Sequence, residues 1–105
     1  MHNNATDQAR IKIIEAIARS MLLTARYNGQ TLTLAPHALF ARRGDLFVSA
    51  LNLAKNRRSD DERRLGNFKL AGLADVEVTE EPFEALPDAG LVLSQTDGEL
   101  LLSVA

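Results

Sequence analysis

The chain has 105 residues, of which 46% are hydrophobic and 25% are charged, a balance typical of one globular domain and not of a long disordered segment. It contains no cysteine, which excludes disulfides, thiolate metal sites and a cysteine nucleophile. The net charge is −2, but the charges are unevenly distributed along the chain. Residues 42–69 carry eight basic and four acidic groups, whereas residues 70–105 carry eight acidic groups and no basic one. We therefore expect either an anion-binding surface or mutual neutralisation of the two segments.

The first predicted element is a helix over residues 7–20, after frayed residues 1–5. Its apolar side chains recur at three- and four-residue spacing and form one stripe: Ile13, Ile14, Ile17, Ala18 and Met21. Thr6 is expected to cap the helix, and Ile14 and Ile17 are expected to be buried against the rest of the fold. Because charged residues interrupt this stretch, we expect neither a signal peptide nor a membrane span, and a cytoplasmic protein is the default.

Two hairpins are predicted next. Asn28-Gly29 joins two short apolar runs and is typical of a tight type I′ turn. Pro36 belongs at a strand end or a bulge, and it precedes a strand near 38–42, a turn at 43–45 and a strand over 46–53. This last strand is apolar on both faces, so we expect it to be central, with the core on one side and the helix on the other.

The remaining sequence predicts a charged loop, a half-buried strand and a closing hairpin. Residues 54–64 are polar and show no regular spacing of apolar residues, which indicates the loop. Val76 and Val78 alternate with polar residues, which indicates the half-buried strand. Two apolar runs flank residues 96–99. Short sequential strands with tight turns predict a mainly β chain with one N-terminal helix, a small five-stranded barrel and a C-terminal hairpin at 85–105 that extends the same domain.

The order of these elements resembles the WYL domain family of bacteria. Over roughly residues 10–84, seven residues fall in the order and similar spacing of that family's pattern: Tyr27, Pro36, Gly44, Phe68, Leu70, Val76 and Phe83. The resemblance implies an Sm-like (SH3-like) barrel with a packed helix over residues 1–84. It also implies a sensing or regulatory role, typical of transcription regulators, in which basic residues bind nucleic acid or a nucleotide-like anion.

The chain departs from the family pattern at the triplet that names the family and at the arginine most associated with ligand contact. The Trp-Tyr-Leu triplet that names the family is Leu46-Phe47-Val48 here. The family's Phe-Arg-Leu-Asp-Arg-Ile run is Phe68-Lys69-Leu70-Ala71-Gly72-Leu73, so Gly72 stands where the family has its second arginine. Lys69 keeps a positive charge without the planar fork of an arginine. The fold is compatible with these changes, which favour a different ligand or none.

Basic residues of the middle segment form the candidate anion site. Arg42 and Arg43 stand at the mouth of the second turn, and arginine binds phosphate bidentately. We expect one of the two arginines to approach Lys69 and Arg64 around one rim of the barrel. Only one can do so, because neighbouring side chains on a strand alternate between faces. The alternative role for Arg42 and Arg43 is that of solvated turn residues. The basic residues of the 54–64 loop could instead be neutralised by their acidic neighbours.

Tyr27 and His37 are the other candidate ligand-binding residues. Tyr27 can stack on a base, although a core position with a wet hydroxyl is the commoner role of such a tyrosine. For His37 a structural role is favoured, because the sequence shows no nucleophile partner for it. No phosphate-binding loop, dinucleotide fingerprint, nucleophile elbow or metal-ligand spacing occurs, so we expect no enzyme activity, cofactor or metal.

Two functions remain open at this point. One is a binding module that senses an anionic ligand or nucleic acid and acts through a partner. The other is a structural protein that oligomerises or docks on another protein and binds no small anion. The apolar C-terminal hairpin is expected either to close over its own barrel or to pair with a second subunit, and we favour a homodimer.

Overall fold

The structure is a computed structural model that describes residues 4–53, 65–86 and 98–104. It contains one helix and six strands: α1 (Asn4–Arg19), β1 (Met21–Tyr27), β2 (Gln30–Arg42), β3 (Asp45–Asn52), β4 (Gly66–Lys69), β5 (Leu73–Pro82) and β6 (Glu99–Ser103). All strands pair antiparallel in one sheet of order β4-β3-β2-β1-β5, and β6 pairs with β2 beside this path. A mainly β chain with one N-terminal helix is therefore confirmed.

The sheet must be strongly curled. Strands β4 and β5 lie at its two ends, and yet they follow each other in the chain. A single 3-10 turn, Leu70–Gly72, joins them. Flat strands would hold these two ends about 19 Å apart, whereas the four residue steps between them span at most about 14 Å. The sheet is nevertheless not closed into a barrel, since no ladder joins β4 to β5 within the described residues.

Helix α1 docks on the sheet through a narrower stripe than the one predicted. It begins at Asn4, two residues before the expected cap at Thr6, and ends at Arg19. Four of its side chains are buried against β5, β2 and β1: Ala9, Ile13, Ala16 and Ile17. Burial of Ile17 is confirmed, but Ile14 is 39% exposed and its predicted burial is wrong. Ile14 lies about 100° of helix rotation from Ile13 and so faces away from this stripe.

Both predicted turns have the backbone that a type I′ hairpin requires, with positive φ at both central positions. These angles are 52° and 78° at Asn28 and Gly29, and 53° and 84° at Arg43 and Gly44. The two turns connect β1 to β2 and β2 to β3, as the sequence predicts.

Strand β2 is one long strand with a bulge, and not two short ones. The pairing with β3 shifts register between Pro36 and Ala38, which confirms the bulge expected at this proline. Along its other edge β2 pairs first with β1 and then with β6. Strand β3 lies second from one end of the sheet, between β2 and β4, and α1 packs chiefly against β5. The expected interior position of β3, paired on both edges and largely buried, is therefore confirmed, whereas the expectation that the helix covers it is wrong.

A second, smaller apolar cluster lies apart from the main core. Its buried members are Leu22, Ala35 and Leu51, and partly buried Phe83 and Leu86 pack against them. These last two residues belong to the segment that follows β5, so this segment covers part of the sheet. None of the helices in residues 4–53, 65–86 and 98–104 is long and apolar enough to cross a membrane.

The C-terminal strand β6 pairs with β2 of its own chain through Ala38, Leu39, Phe40 and Ala41. This is the first of the two arrangements expected for the C-terminal hairpin. The hairpin's first strand and the predicted loop at 54–64 lie outside the described residues.

Candidate anion-binding site

The hairpin between β2 and β3 places the predicted arginines beside an aromatic ring and a lysine. In the β2–β3 register Arg42 lies opposite Asp45, and Phe40 lies opposite Phe47. In the β3–β4 register Phe47 lies opposite Lys69. Because residues opposite each other or two apart share one face of a sheet, these side chains lie on the same face. We call the following residues the turn corner: Arg42, Arg43, Asp45, Phe47 and Lys69.

An aromatic pair fixes the position of Arg42. Its guanidinium carbon lies 4.9 Å from the centre of the Phe47 ring, a cation–π contact. Phe47 in turn stacks on Phe40 with ring centres 5.4 Å apart and planes within 15°, and Phe40 is fully buried. The guanidinium carries five N–H donors, which an anion can accept.

Lys69 forms the only ion pair of the turn corner among the described residues. Its Nζ lies 3.4 Å from Oδ2 of Asp45, and both side chains are half exposed. A pair this exposed is screened by water and salt and contributes at most about 1 kcal/mol, so a competing phosphate can displace it. Within the part of the chain that the structure describes, Arg42 and Arg43 have no acidic partner.

The turn corner surrounds an open pocket of about 410 Å³, lined by Arg42, Arg43, Asp45 and Phe47. This volume falls within the range of small-molecule sites. Three cationic groups and one carboxylate leave the turn corner with a local charge of about +2, in a protein whose net charge is −2.

Both arginines reach this pocket, so the expectation that only one of them would do so is wrong. The alternation rule holds for Arg42, which ends β2, but Arg43 lies in the turn with φ of 53°. A left-handed backbone destabilises a residue other than glycine by about 1–2 kcal/mol. The first hairpin has an asparagine, which tolerates this conformation, at the equivalent position, Asn28. Strained residues of this kind cluster at functional sites.

Tyr27 lies away from the turn corner. Its ring packs edge-on against Phe68, with centres 5.4 Å apart, and Phe68 precedes Lys69 and so points to the other face of β4. A Cβ at Gly72 would lie only 3.1 Å from the Tyr27 ring. The lack of a side chain at Gly72 thus makes room for this tyrosine.

His37 is fully buried and lies under the segment that follows β5. Both ring nitrogens have protein partners, and burial lowers the pKa of His37 below its ordinary value of 6.5, against the opposing effect of a hydrogen bond to the Ala35 carbonyl. This arrangement is that of a structural histidine.

Of the six sequence-predicted residues, the structure brings together Arg42, Arg43 and Lys69 and separates Tyr27 and His37 from them. Arg64 lies outside the described residues. Sequence reasoning did not place Phe47 and Asp45 in the site. Counting outwards from the turn at Gly44 would have placed both on the face of Arg42, since hairpin partners are fixed by the turn.

Among the described residues, no group of three or more histidine and acidic side chains could hold a metal ion. No protein-family model, curated protein or solved structure matches the chain.

Proposed function

We propose that the protein is a regulatory or sensing module, without enzyme activity, that binds a phosphate-bearing polyanion at the turn corner. The observation that carries the proposal is an open pocket lined by Arg42 and Arg43, with Lys69 next to it through its ion pair with the lining residue Asp45. The two arginines have no acidic partner among the described residues, so their charge is available to a ligand. Phosphate is one of the two anions, with carboxylate, whose geometry the planar fork of arginine matches.

Single-stranded nucleic acid is the polyanion that suits this chemistry. Proteins that bind single strands combine cations along the backbone with aromatic or guanidinium planes on which bases stack. At the turn corner the guanidinium of Arg42, which lies over the Phe47 ring, offers such a plane next to Arg43 and Lys69. With about three phosphate contacts and no set of base-reading groups, we expect micromolar or weaker affinity without strong sequence preference.

We also propose a more specific fold. The curled sheet is an open form of the Sm-like (SH3-like) barrel of WYL domains. Two features support this: α1 packs on the sheet, and β1 pairs with both β2 and β5, as it does where a strand meander wraps around a core.

Titration of a labelled single-stranded oligonucleotide at low and moderate salt tests the function. The double variant Arg43→Ala with Lys69→Ala is expected to lose at least tenfold in affinity. Its matched control is Arg26→Ala with Lys12→Ala, which removes one arginine and one lysine from ion pairs with Asp75 and Glu77 elsewhere on the molecule. This control should bind about as well as the wild type.

Two results would contradict the proposal. Absence of binding by the wild type at low salt would identify the arginines as ordinary turn residues. Equal losses in the two double variants would indicate diffuse attraction to basic residues in general and no site at the turn corner.

A second candidate is a protein that associates with a second copy of itself. Leu100 and Leu101 of β6 are 48% and 47% exposed, unusual for leucines of a paired strand. Light scattering tests this: a homodimer should become monomeric in Leu101→Ser, whereas a wild type that stays monomeric at high concentration would exclude it.

A further inference from the structure

A short segment after β5 is fastened across the sheet at two points. We call residues 83–86 the strap. At its start the N–H of Phe83 donates to the carbonyl of Ser20 at 2.9 Å. At its end the N–H of Leu86 donates to Nε2 of His37 at 3.1 Å, and the Phe83 ring lies 5.2 Å from the imidazole. The strap therefore depends on one side-chain acceptor, and that acceptor can be protonated.

The contacts of His37 require a neutral ring in one tautomer. Nδ1 lies 2.8 Å from the carbonyl oxygen of Ala35, so it must carry a hydrogen and donate it. Nε2 faces the N–H of Leu86, so it must keep its lone pair. A second proton on Nε2 would direct one N–H against another in a fully buried place.

No charged group offsets such a proton within the described residues. Strand β2 has none between Gln30 and Arg42. Glu84, the only titratable residue of the strap, is exposed, and Glu99 lies at the far end of β6. Arg19 at the end of α1 is held by Glu15 at 2.7 Å. The facing strand β3 has its one charged residue, Asp45, at the distant turn.

We propose that His37 is a pH-sensitive clasp, which holds the strap on the sheet when neutral and releases it when protonated. Release removes Phe83 and Leu86 from the second apolar cluster and exposes Leu22, Ala35 and Leu51 to solvent. The clasp is a conformational device of the fold and does not depend on ligand binding at the turn corner.

The direction of the pH effect follows from the histidine's environment. Burial lowers the pKa of His37 in the folded chain below the ordinary 6.5 that applies when it is unfolded or released. Well above pH 6.5 the ring is neutral in every state and the strap is held. As the pH falls below 6.5, His37 gains a proton in the released state but not in the held state, so release becomes progressively favoured. This effect stops growing once the pH has fallen below the pKa of His37 in the held state.

Amide hydrogen exchange, corrected for the intrinsic pH dependence, tests the clasp. Between pH 7.5 and 5 the protection of the Leu86 amide should fall at least tenfold, while that of Leu34 in the core should not change. In His37→Gln the side-chain carbonyl can accept the same hydrogen bond but does not titrate, so Leu86 protection should not vary with pH. His2→Gln, the control for the other histidine of the chain, should behave as the wild type.

Two results would overturn the inference: Leu86 protection in the wild type that does not change with pH, or the same pH dependence in His37→Gln. If His37→Gln does not fold, the nitrogen chemical shifts of the wild-type imidazole decide. A hydrogen on Nδ1 at pH 7.5 and release of Leu86 in step with the titration of Nε2 support the clasp. The opposite tautomer, or titration without release, rejects it.

Discussion

Arg42 and Arg43 are neighbours in the chain, but the fold holds them in different ways. Arg42 continues the strand and rests on Phe47, whereas Arg43 occupies the left-handed position of the turn. The turn itself could be predicted, because Gly44 marks it. The joint placement of the two arginines could not, since the alternation rule fails at the residue where the strand ends and the turn begins.

The first prediction separates the stability of Arg43 from its binding role. Arg43→Asn would give the second turn the Asn-Gly pair of the first, so the free energy of unfolding should rise by up to about 1 kcal/mol. Affinity for a single-stranded oligonucleotide should fall in the same variant, because one of three cations is lost. Denaturant unfolding and titration measure the two effects. A variant that is more stable and binds equally well would show that Arg43 takes no part in the site.

At the scale of elements, helix α1 shows which part of an apolar pattern the sequence can assign. The three- and four-residue spacing identifies the helix itself. It does not show which edge of a wide apolar stripe faces the sheet, because Ile13, Ile14 and Ile17 are equally apolar. That choice depends on how the helix crosses β5, a contact between residues distant in sequence.

The second prediction compares two isoleucines of this helix. Ile17 is buried and Ile14 partly exposed, so Ile17→Ala should lower the free energy of unfolding by about 2–5 kcal/mol and Ile14→Ala by less than half as much. Both changes delete the same atoms from one helix and have nearly equal effects on helix propensity. Denaturant unfolding of the two variants gives the comparison. Equal losses would mean that α1 is rotated about its axis relative to the docking described.

The third prediction concerns Gly98, which directs the chain into β6. Its φ of 142° is rarely adopted by other residues, and a Cβ there would lie 2.6 Å from the carbonyl oxygen of Ala41. Gly98→Ala should therefore destabilise the docking of β6 on β2 by about 1–3 kcal/mol, seen as faster amide exchange in residues 99–103. Gly66→Ala, where the nearest atom is an ordinary 3.4 Å away, is the control and should leave this exchange unchanged.

At the scale of the whole molecule, the sequence predicts contacts between residues close in the chain but not contacts between residues far apart in it. Both hairpins and the helix depend on neighbouring residues, and all three are found. The pairing of β1 with β5 and of β6 with β2 joins residues far apart in the chain, and no local pattern specifies it. The candidate site behaves in the same way: the sequence supplies Arg42, Arg43 and Lys69, and the β3–β4 register brings the lysine to them.

The last prediction uses the charge of the whole chain. With a net charge of −2 and its acidic residues concentrated after residue 70, the molecule as a whole repels a polyanion, so binding has to depend on the local charge of the turn corner. Each phosphate neutralised on a single strand contributes about −0.7 to the slope of log affinity against log salt concentration. Three cations therefore predict a slope of about −2, reduced to about −1.4 in Arg43→Ala.

The control for this slope is Lys12→Ala, whose cation is paired with Glu77 on another part of the surface, and its slope should equal that of the wild type. Affinities measured at several salt concentrations give the three slopes. A slope near zero would mean that phosphate is not what the protein binds. A slope steeper than about −4 would require more cations than the turn corner holds, and would move the binding surface to the basic residues of the 54–64 segment.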